Sequence, residues 1–253
     1  DDALSIREIT PDNFKIGIYI ADPGSIIDYM EECGCKGLYN SICERGLTLY
    51  TCEGNFPMMP EGISTDQASL LPHKRRLALS LHFNMDKLGN LISDIRFEHS
   101  VIENTRAYTY EEVDSIIQKG KVNKGVYKLY KLSQEIARTH TPKLYDDRWD
   151  SHKMVETMMV FANKNVARIL YERVPEEVIT RLHNGFNNNI SHVPEHLSKR
   201  VEIMNTSAAK YSRVLGRHFG LGITFYTHFT SPIRRIVDLY IHYLIKRLFF
   251  RGK

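Results

Sequence analysis

The chain has 253 residues, with 34 Lys and Arg against 30 Asp and Glu, 42% hydrophobic residues and 25% charged ones. That length and mix exclude a disordered tail, a collagen-like rod and a small disulfide scaffold. The formal charge of +4 permits nucleic-acid binding without arguing for it.

The chain opens on Asp1-Asp2 with no initiator Met and reads as a segment of a longer protein. Leu4 and Ile6 suggest a short opening strand. Phe14, Ile16, Ile18 and Ile20 alternate with Lys15, Gly17, Tyr19 and Ala21, the period of a half-buried strand. Asp22-Pro23-Gly24 stops that strand. All four cysteines, Cys33, Cys35, Cys43 and Cys52, follow in one short stretch. Clustered thiolates suit zinc, but the paired C-x₂-C knuckles are missing, so free thiols in a reducing, intracellular compartment are the better reading. Leu77, Leu79, Leu81 and Phe83 alternate again. A polar turn follows, and Leu91 to Phe97 is expected to return as the hairpin partner.

From Tyr110 the pattern becomes helical, with Thr109 as N-cap and Glu111 and Glu112 in the first turn. Val126 to Ala137 and Val155 to Leu170 keep a 3.6 period. A helix is expected from Pro194 to about Tyr211. The last helix is expected to open at Ser231-Pro232, a side-chain cap followed by Pro at the first helical position. The loops at 139–150 and 184–191 read as flexible connections, and neither as an interdomain linker. Strands first and helices second give an α+β class, with residues 1–253 as one domain: a strand-rich N-terminal half followed by a helical half. No stretch reaches the ~18 uninterrupted apolar residues of a membrane helix, so no membrane partner is expected.

The segment Tyr226 to Arg235 carries chemistry. A helix start leaves N–H groups unpaired and favours an anion, and Ser231 and Arg234 lie beside the expected one, a plausible phosphate cradle. The alternative is a capped helix with its arginines in solvent. Asp1 and Asp2 are hard oxygen donors suited to Mg²⁺, but adjacent strand residues point to opposite sides, so taken alone they read as a solvated end.

Read in order, further motifs join these. Asp1-Asp2-Ala3-Leu4-Ser5 is followed by Ile20 to Pro23, Glu44 to Tyr50, Phe56 to Pro60, Ser69 to Pro72 and Arg76 to Ser80. Met154-Val155-Glu156 with Ala162-Asn163, and then Tyr226 to Arg235 with Asp238 and His242, complete the set. From residue 1 to about residue 245 the chain resembles the ribonuclease II (RNB) family of 3′→5′ exoribonucleases, which includes the exosome's catalytic subunit.

The resemblance implies processive hydrolysis of single-stranded RNA to nucleoside 5′-monophosphates with Mg²⁺, and it allows an exosome-like assembly as a partner. Asp1 and Asp2 match the last two aspartates of the family's metal motif, so the chain's start would cut through that motif. Arg234 matches the catalytic arginine. Tyr50 matches the aromatic that stacks on the 3′-terminal base; the plain reading is a half-buried strand aromatic. Tyr110 matches a second channel tyrosine, against a packing role at a helix start. Glu156 matches the first acid of a Glu-Glu pair, against a polar residue on a core helix.

The chain also departs from the family. Tyr19 stands where His is usual, Thr157 replaces the second Glu, and Ile236 and Tyr243 replace the usual Tyr and Arg. The region of the second base-clamping aromatic is short, and Tyr145 and Trp149 are candidate substitutes that do not align with it. Flanking OB-type RNA-binding domains are expected in the parent chain. The rival reading is a degenerate, RNA-binding member that does not cut.

Overall fold

The computed structural model describes residues 1–120, 123–185 and 207–250. Strands β1 (Asp2–Thr10) and β2 (Asn13–Ala21) come first, then helices α1 (Pro23–Glu32) and α2 (Leu38–Arg45). A small hairpin, β3 (Leu49–Thr51) and β4 (Gly54–Phe56), leads to a single π-helical turn at Gly62–Gln67. Next come β5 (Arg75–Asp86) and β6 (Arg96–Glu103), then α3 (Tyr110–Lys119), α4 (Lys124–His140) and α5 (Ser151–Tyr171). Short strands β7 (Thr180–Leu182) and β8 (Lys210–Ser212) pair with each other, and α6 (Ile236–Phe249) closes the described chain. The class is α+β, as the order of patterns predicts.

The main sheet is antiparallel with order β1-β2-β5-β6. Its register sets Ile16 opposite Phe83, Ile18 opposite Leu81 and Ile20 opposite Leu79. These alternating residues share one face and form the main core with Leu132, Ile136, Met158, Phe161, Ile241 and Leu244 of α4, α5 and α6. A smaller cluster gathers Ala21, Ile27, Met58, Met59, Ile63 and Ile233. It fastens α1, the π-helical turn and the segment before α6 to the end of the sheet. That sheet end carries the first residues of the chain.

Several boundaries differ from the sequence reading. β1 runs on to Thr10 because its polar second half is held by the backbone ladder to β2 rather than by buried side chains. The return strand starts at Arg96, not Leu91: the Ser93 hydroxyl takes the Asn84 N–H (2.8 Å) and interrupts the ladder. Of the helix expected at Pro194 to Tyr211, residues 194–206 lie outside the described residues, and Tyr211 itself is in β8. Within the 139–150 connection, Thr141, Leu144 and Trp149 are buried, so that stretch is packed.

The last helix begins at Ile236, not at Ser231-Pro232. Ser231 to Arg234 form a tight turn, with the N–H groups of Arg234 and Arg235 both donating to the Ser231 carbonyl (3.3 and 3.2 Å). All four cysteines are exposed and unpaired. No group of three or more His, Cys, Asp or Glu among the described residues is arranged to hold a metal.

Candidate active site

Asp1 is tied to the sheet through its carbonyl, which accepts the Ala21 N–H at 2.8 Å, while Asp2 pairs with Ile20. Asp1 therefore sits just before the regular strand, free of its strict alternation. Both acids line one open cavity of about 710 Å³. The expectation that neighbouring strand carboxylates diverge is thus avoided at the point where the ladder begins.

The opposite wall is the turn before α6. Asp238, fully buried on the first turn of that helix, accepts the Ser231 N–H (2.8 Å) and both Arg235 Nε (2.8 Å) and Nη2 (2.7 Å). Burial pushes the Asp238 carboxyl up, and the Arg235 fork pulls it down. Ser231 therefore does not cap the helix; its N–H is itself held by the helix. Arg235 is consumed by this pair. Arg234 next to it turns outward and lines the cavity, its Nη2 donating to Ser231 Oγ (3.1 Å) and its Nε 3.9 Å from Asp1 Oδ2. The segment behind the turn is pinned on both sides of Phe229. Its N–H donates to Asn163 Oδ1 (2.8 Å), and its carbonyl accepts from His242 Nε2 (3.0 Å).

Tyr50 comes to the same cavity through backbone pairing. Thr48 N–H donates to the Arg234 carbonyl (3.0 Å), and Ile236 N–H to the Gly46 carbonyl (2.8 Å). These bonds lay the β3–β4 hairpin beside Arg234. Tyr50 is 62% exposed, so the half-buried strand role does not apply. Besides Thr48, Pro57 and Ile233, the lining is completed by four further polar residues, Asn55, Glu61, Ser64 and Thr65. Sequence reasoning missed these four. The available signal was their position around Phe56 to Pro60, a motif noted without assigning side chains.

Tyr110 and Glu156 do not line this cavity. They share a separate patch where α3 meets α5. Tyr110 stacks on His152 at 3.6 Å, and Glu156 is exposed and paired with Lys153 (3.1 Å). Thr157 is fully buried with its hydroxyl unpartnered, so in this chain that position belongs to the core. Trp149 is buried and donates its indole N–H to Ser133 Oγ (3.1 Å), which removes it as a base clamp. Tyr145 lies under the Arg138 guanidinium, 4.5 Å from its ring centroid. His228 is kept neutral: burial and nearby Arg235 and Arg181 hold its pKa down to about 3.

The cavity thus offers carboxylates on one side, an outward-facing guanidinium on the other and an exposed aromatic ring in its lining. Such a constellation suits a phosphodiester whose base needs a stacking surface. The RNB domain model matches residues 1–251, and the chain belongs to that family.

The chain is 28% identical over 320 residues to the exosome complex exonuclease RRP44 of Mus musculus, covering 97% of this chain and 32% of that protein. Its fold matches Mycoplasma genitalium RNase R in complex with ribose methylated single-stranded RNA, with a TM-score of 0.78 and 22% identity, over 98% of this chain and 48% of that one. It also matches yeast Ssd1, a pseudonuclease, with a TM-score of 0.80 and 17% identity, over 100% of this chain and 38% of that one. The chain therefore spans about a third to a half of the length of these relatives.

Proposed function

We propose that residues 1–253 form the catalytic unit of a processive 3′→5′ exoribonuclease that hydrolyses single-stranded RNA to nucleoside 5′-monophosphates. The observation that carries this reading is the convergence of Asp1, Asp2, Tyr50, Ser231 and Arg234 on one cavity from three separate stretches of chain. Tyr50 stacks on the terminal base, and stacking is tolerant of sequence. Arg234 meets the scissile phosphate, where a planar fork matches charge spread over phosphoryl oxygens. Ser231 Oγ, which accepts from Arg234, fixes the direction of that fork.

The acid edge of the cavity supplies carboxylate oxygens, the donor set of a hard cation, so Asp1 and Asp2 fit Mg²⁺ that keeps waters and substrate phosphate in its shell. When bound there, Mg²⁺ supplies Lewis-acid stabilisation and a more acidic water. In the displacement, water oxygen bonds to phosphorus, the bond to the 3′ oxygen of the preceding nucleotide breaks, and that oxygen leaves with a proton. The products are a shortened RNA with a free 3′-OH and a nucleoside 5′-monophosphate. Tyr110, stacked on His152 and 43% exposed, and Glu156 beside it serve RNA outside the cavity as a second contact patch. An exosome-like assembly is the proposed partner, a reading supported by the mouse relative's name.

The test uses the full-length protein on 5′-labelled single-stranded RNA with Mg²⁺. The expected result is a ladder from the 3′ end with 5′-monophosphate release, abolished by Asp1→Asn. RNA binding without cleavage would replace this reading with that of a non-cutting RNA-binding member. Cleavage untouched by Asp1→Asn would move the chemistry elsewhere.

A further inference from the structure

One wall of the cavity that holds Asp1, Tyr50 and Arg234 is built by the π-helical turn and the residue before it, which contribute Glu61, Ser64 and Thr65. The turn is fixed from both sides. Ile63 and Ala68 anchor it in the smaller core cluster, and the Ala68 N–H donates to the Ile63 carbonyl five residues back (2.9 Å). Arg76 of β5 holds its far end, with Nε donating to the carbonyls of Asp66 (3.2 Å) and Ser69 (3.1 Å). Side chains on such a wall are preorganised, so a ligand meets them at little ordering cost.

The side chains of this wall offer acceptors only. Thr65 Oγ1 donates its proton to the Glu61 carbonyl (2.7 Å). Ser64 Oγ shares its proton between the carbonyls of Pro60 (3.3 Å) and Glu61 (3.2 Å). A hydroxyl has one proton, so each oxygen keeps only lone pairs for a ligand. The Glu61 carboxylate is exposed and makes no hydrogen bond or ion pair with any described residue. It is an acceptor as well, and a charged one. A terminal nucleotide with its base on Tyr50 and its 5′-phosphate at Arg234 leaves its sugar to the rest of the cavity. That sugar has two donors, the 2′- and 3′-hydroxyls, and only the last nucleotide of an RNA has both free. Three acceptors, one of them charged, match this diol. A phosphate in its place finds no donor on the wall and is repelled by Glu61.

We propose that Glu61, Ser64 and Thr65 read the 2′,3′-diol of the 3′-terminal nucleotide and thereby reject RNA ends that carry a 3′-phosphate. The two sugar hydroxyls donate and the three side chains accept. These residues set specificity and take no part in the bond that breaks. The inference rests on the exoribonuclease reading, which puts the terminal nucleotide in this cavity.

The test is a single-turnover assay of the full-length protein on four 5′-labelled RNAs that differ only in the last nucleotide. Their ends are unmodified, 2′-deoxy, 3′-deoxy and 3′-phosphorylated, and the rate of the first cleavage is read. The second cleavage meets an ordinary diol in all four and serves as the internal control. Either deoxy end is expected to slow the first cleavage about tenfold, the loss of one hydrogen bond to the wall. The 3′-phosphate is expected to slow it about a hundredfold, as a like charge set against Glu61. Glu61→Gln keeps an acceptor, removes the charge and adds a donor, so it is expected to recover at least about tenfold on the 3′-phosphate end. The double variant Ser64→Ala, Thr65→Val is expected to shrink the penalty of the deoxy ends, because the lost hydroxyls and the lost acceptors belong to the same bonds. Equal first-cleavage rates on all four ends overturn this inference alone. So does a 3′-phosphate penalty that Glu61→Gln leaves unchanged. No ladder on any end overturns the exoribonuclease reading and this inference with it.

Discussion

Lys246→Met should destabilise the protein by about 3–5 kcal/mol, the usual cost of breaking a buried ion pair from one side. The structure explains why the loss is large. Asp22 is fully buried, and Lys246 Nζ approaches it at 2.6 Å with its own side chain only 14% exposed. Met keeps the stem's packing but leaves the carboxylate with the Ser25 hydroxyl (2.8 Å) and His99 Nε2 (2.8 Å). Burial pushes the Asp22 carboxyl up, and the His99 hydrogen bond and the Lys246 charge more than offset it, so the net pKa lies well below the carboxylate range. A depressed folded pKa means this stability is fully present above the unfolded value of about 4 and is lost as pH falls below it. Urea melts at pH 7 measure the first effect, and melts from pH 5 down to pH 2.5 the second. Lys246→Met should flatten the acid slope as well as lower the plateau. The double variant Asp22→Asn, Lys246→Met should lose clearly less than the sum of the two single variants. A single-variant loss under about 1 kcal/mol, or simple additivity, would refute the coupling.

Arg234→Ala is expected to lower turnover on single-stranded RNA by about 10²–10³ with little change in stability, because it removes transition-state charge stabilisation from an exposed side chain. Arg235→Met is expected to do the reverse at the level of the fold. It strands the buried Asp238 carboxylate, costs about 3–5 kcal/mol in a denaturant melt, and lowers activity in step with folded fraction. Tyr50→Ala should weaken binding of short RNA 3′ ends by about 1–3 kcal/mol, the value of one base stack, read by fluorescence anisotropy. Gly89→Ala should destabilise by about 1–3 kcal/mol or more: its φ is +80°, and a Cβ would lie 2.8 Å from the Glu135 carbonyl carbon of α4.

The strands of the main sheet were readable because each apolar run alternates and faces one core. Where alternation fails, the boundaries moved. The second half of β1 is an exposed edge held by backbone bonds, and periodicity carries no trace of such bonds. The Leu91–Phe97 run looks like a strand, but the Ser93 hydroxyl competes for the partner's N–H and delays the ladder to Arg96. The α3 start was legible because a capping box is local. Thr109 Oγ1 accepts from Glu112 N–H, and the Glu112 carboxylate returns to the Thr109 N–H. The α6 start was misread for the opposite reason. Ser231-Pro232 has the local form of a helix opening, but the turn's N–H is claimed by Asp238, seven residues on.

That long-range claim also decides which arginine faces the cavity. In Arg234-Arg235 both guanidinia have the same intrinsic chemistry, and nothing in the dipeptide distinguishes them. Asp238 is buried on the first turn of α6, and Arg235, three positions back, forms the bidentate pair that neutralises it. Arg235 is drawn inward, and the turn geometry that follows sends Arg234 to the opposite side, toward Asp1. The same turn's carbonyl accepts the Thr48 N–H and brings Tyr50 alongside. One buried carboxylate thereby orients the guanidinium and, through the backbone, the Tyr50 ring. This explains why Asp1, Tyr50 and Arg234 meet although each comes from a different part of the chain, while Tyr110 and Glu156, which no such bond connects to the turn, stay on their own patch.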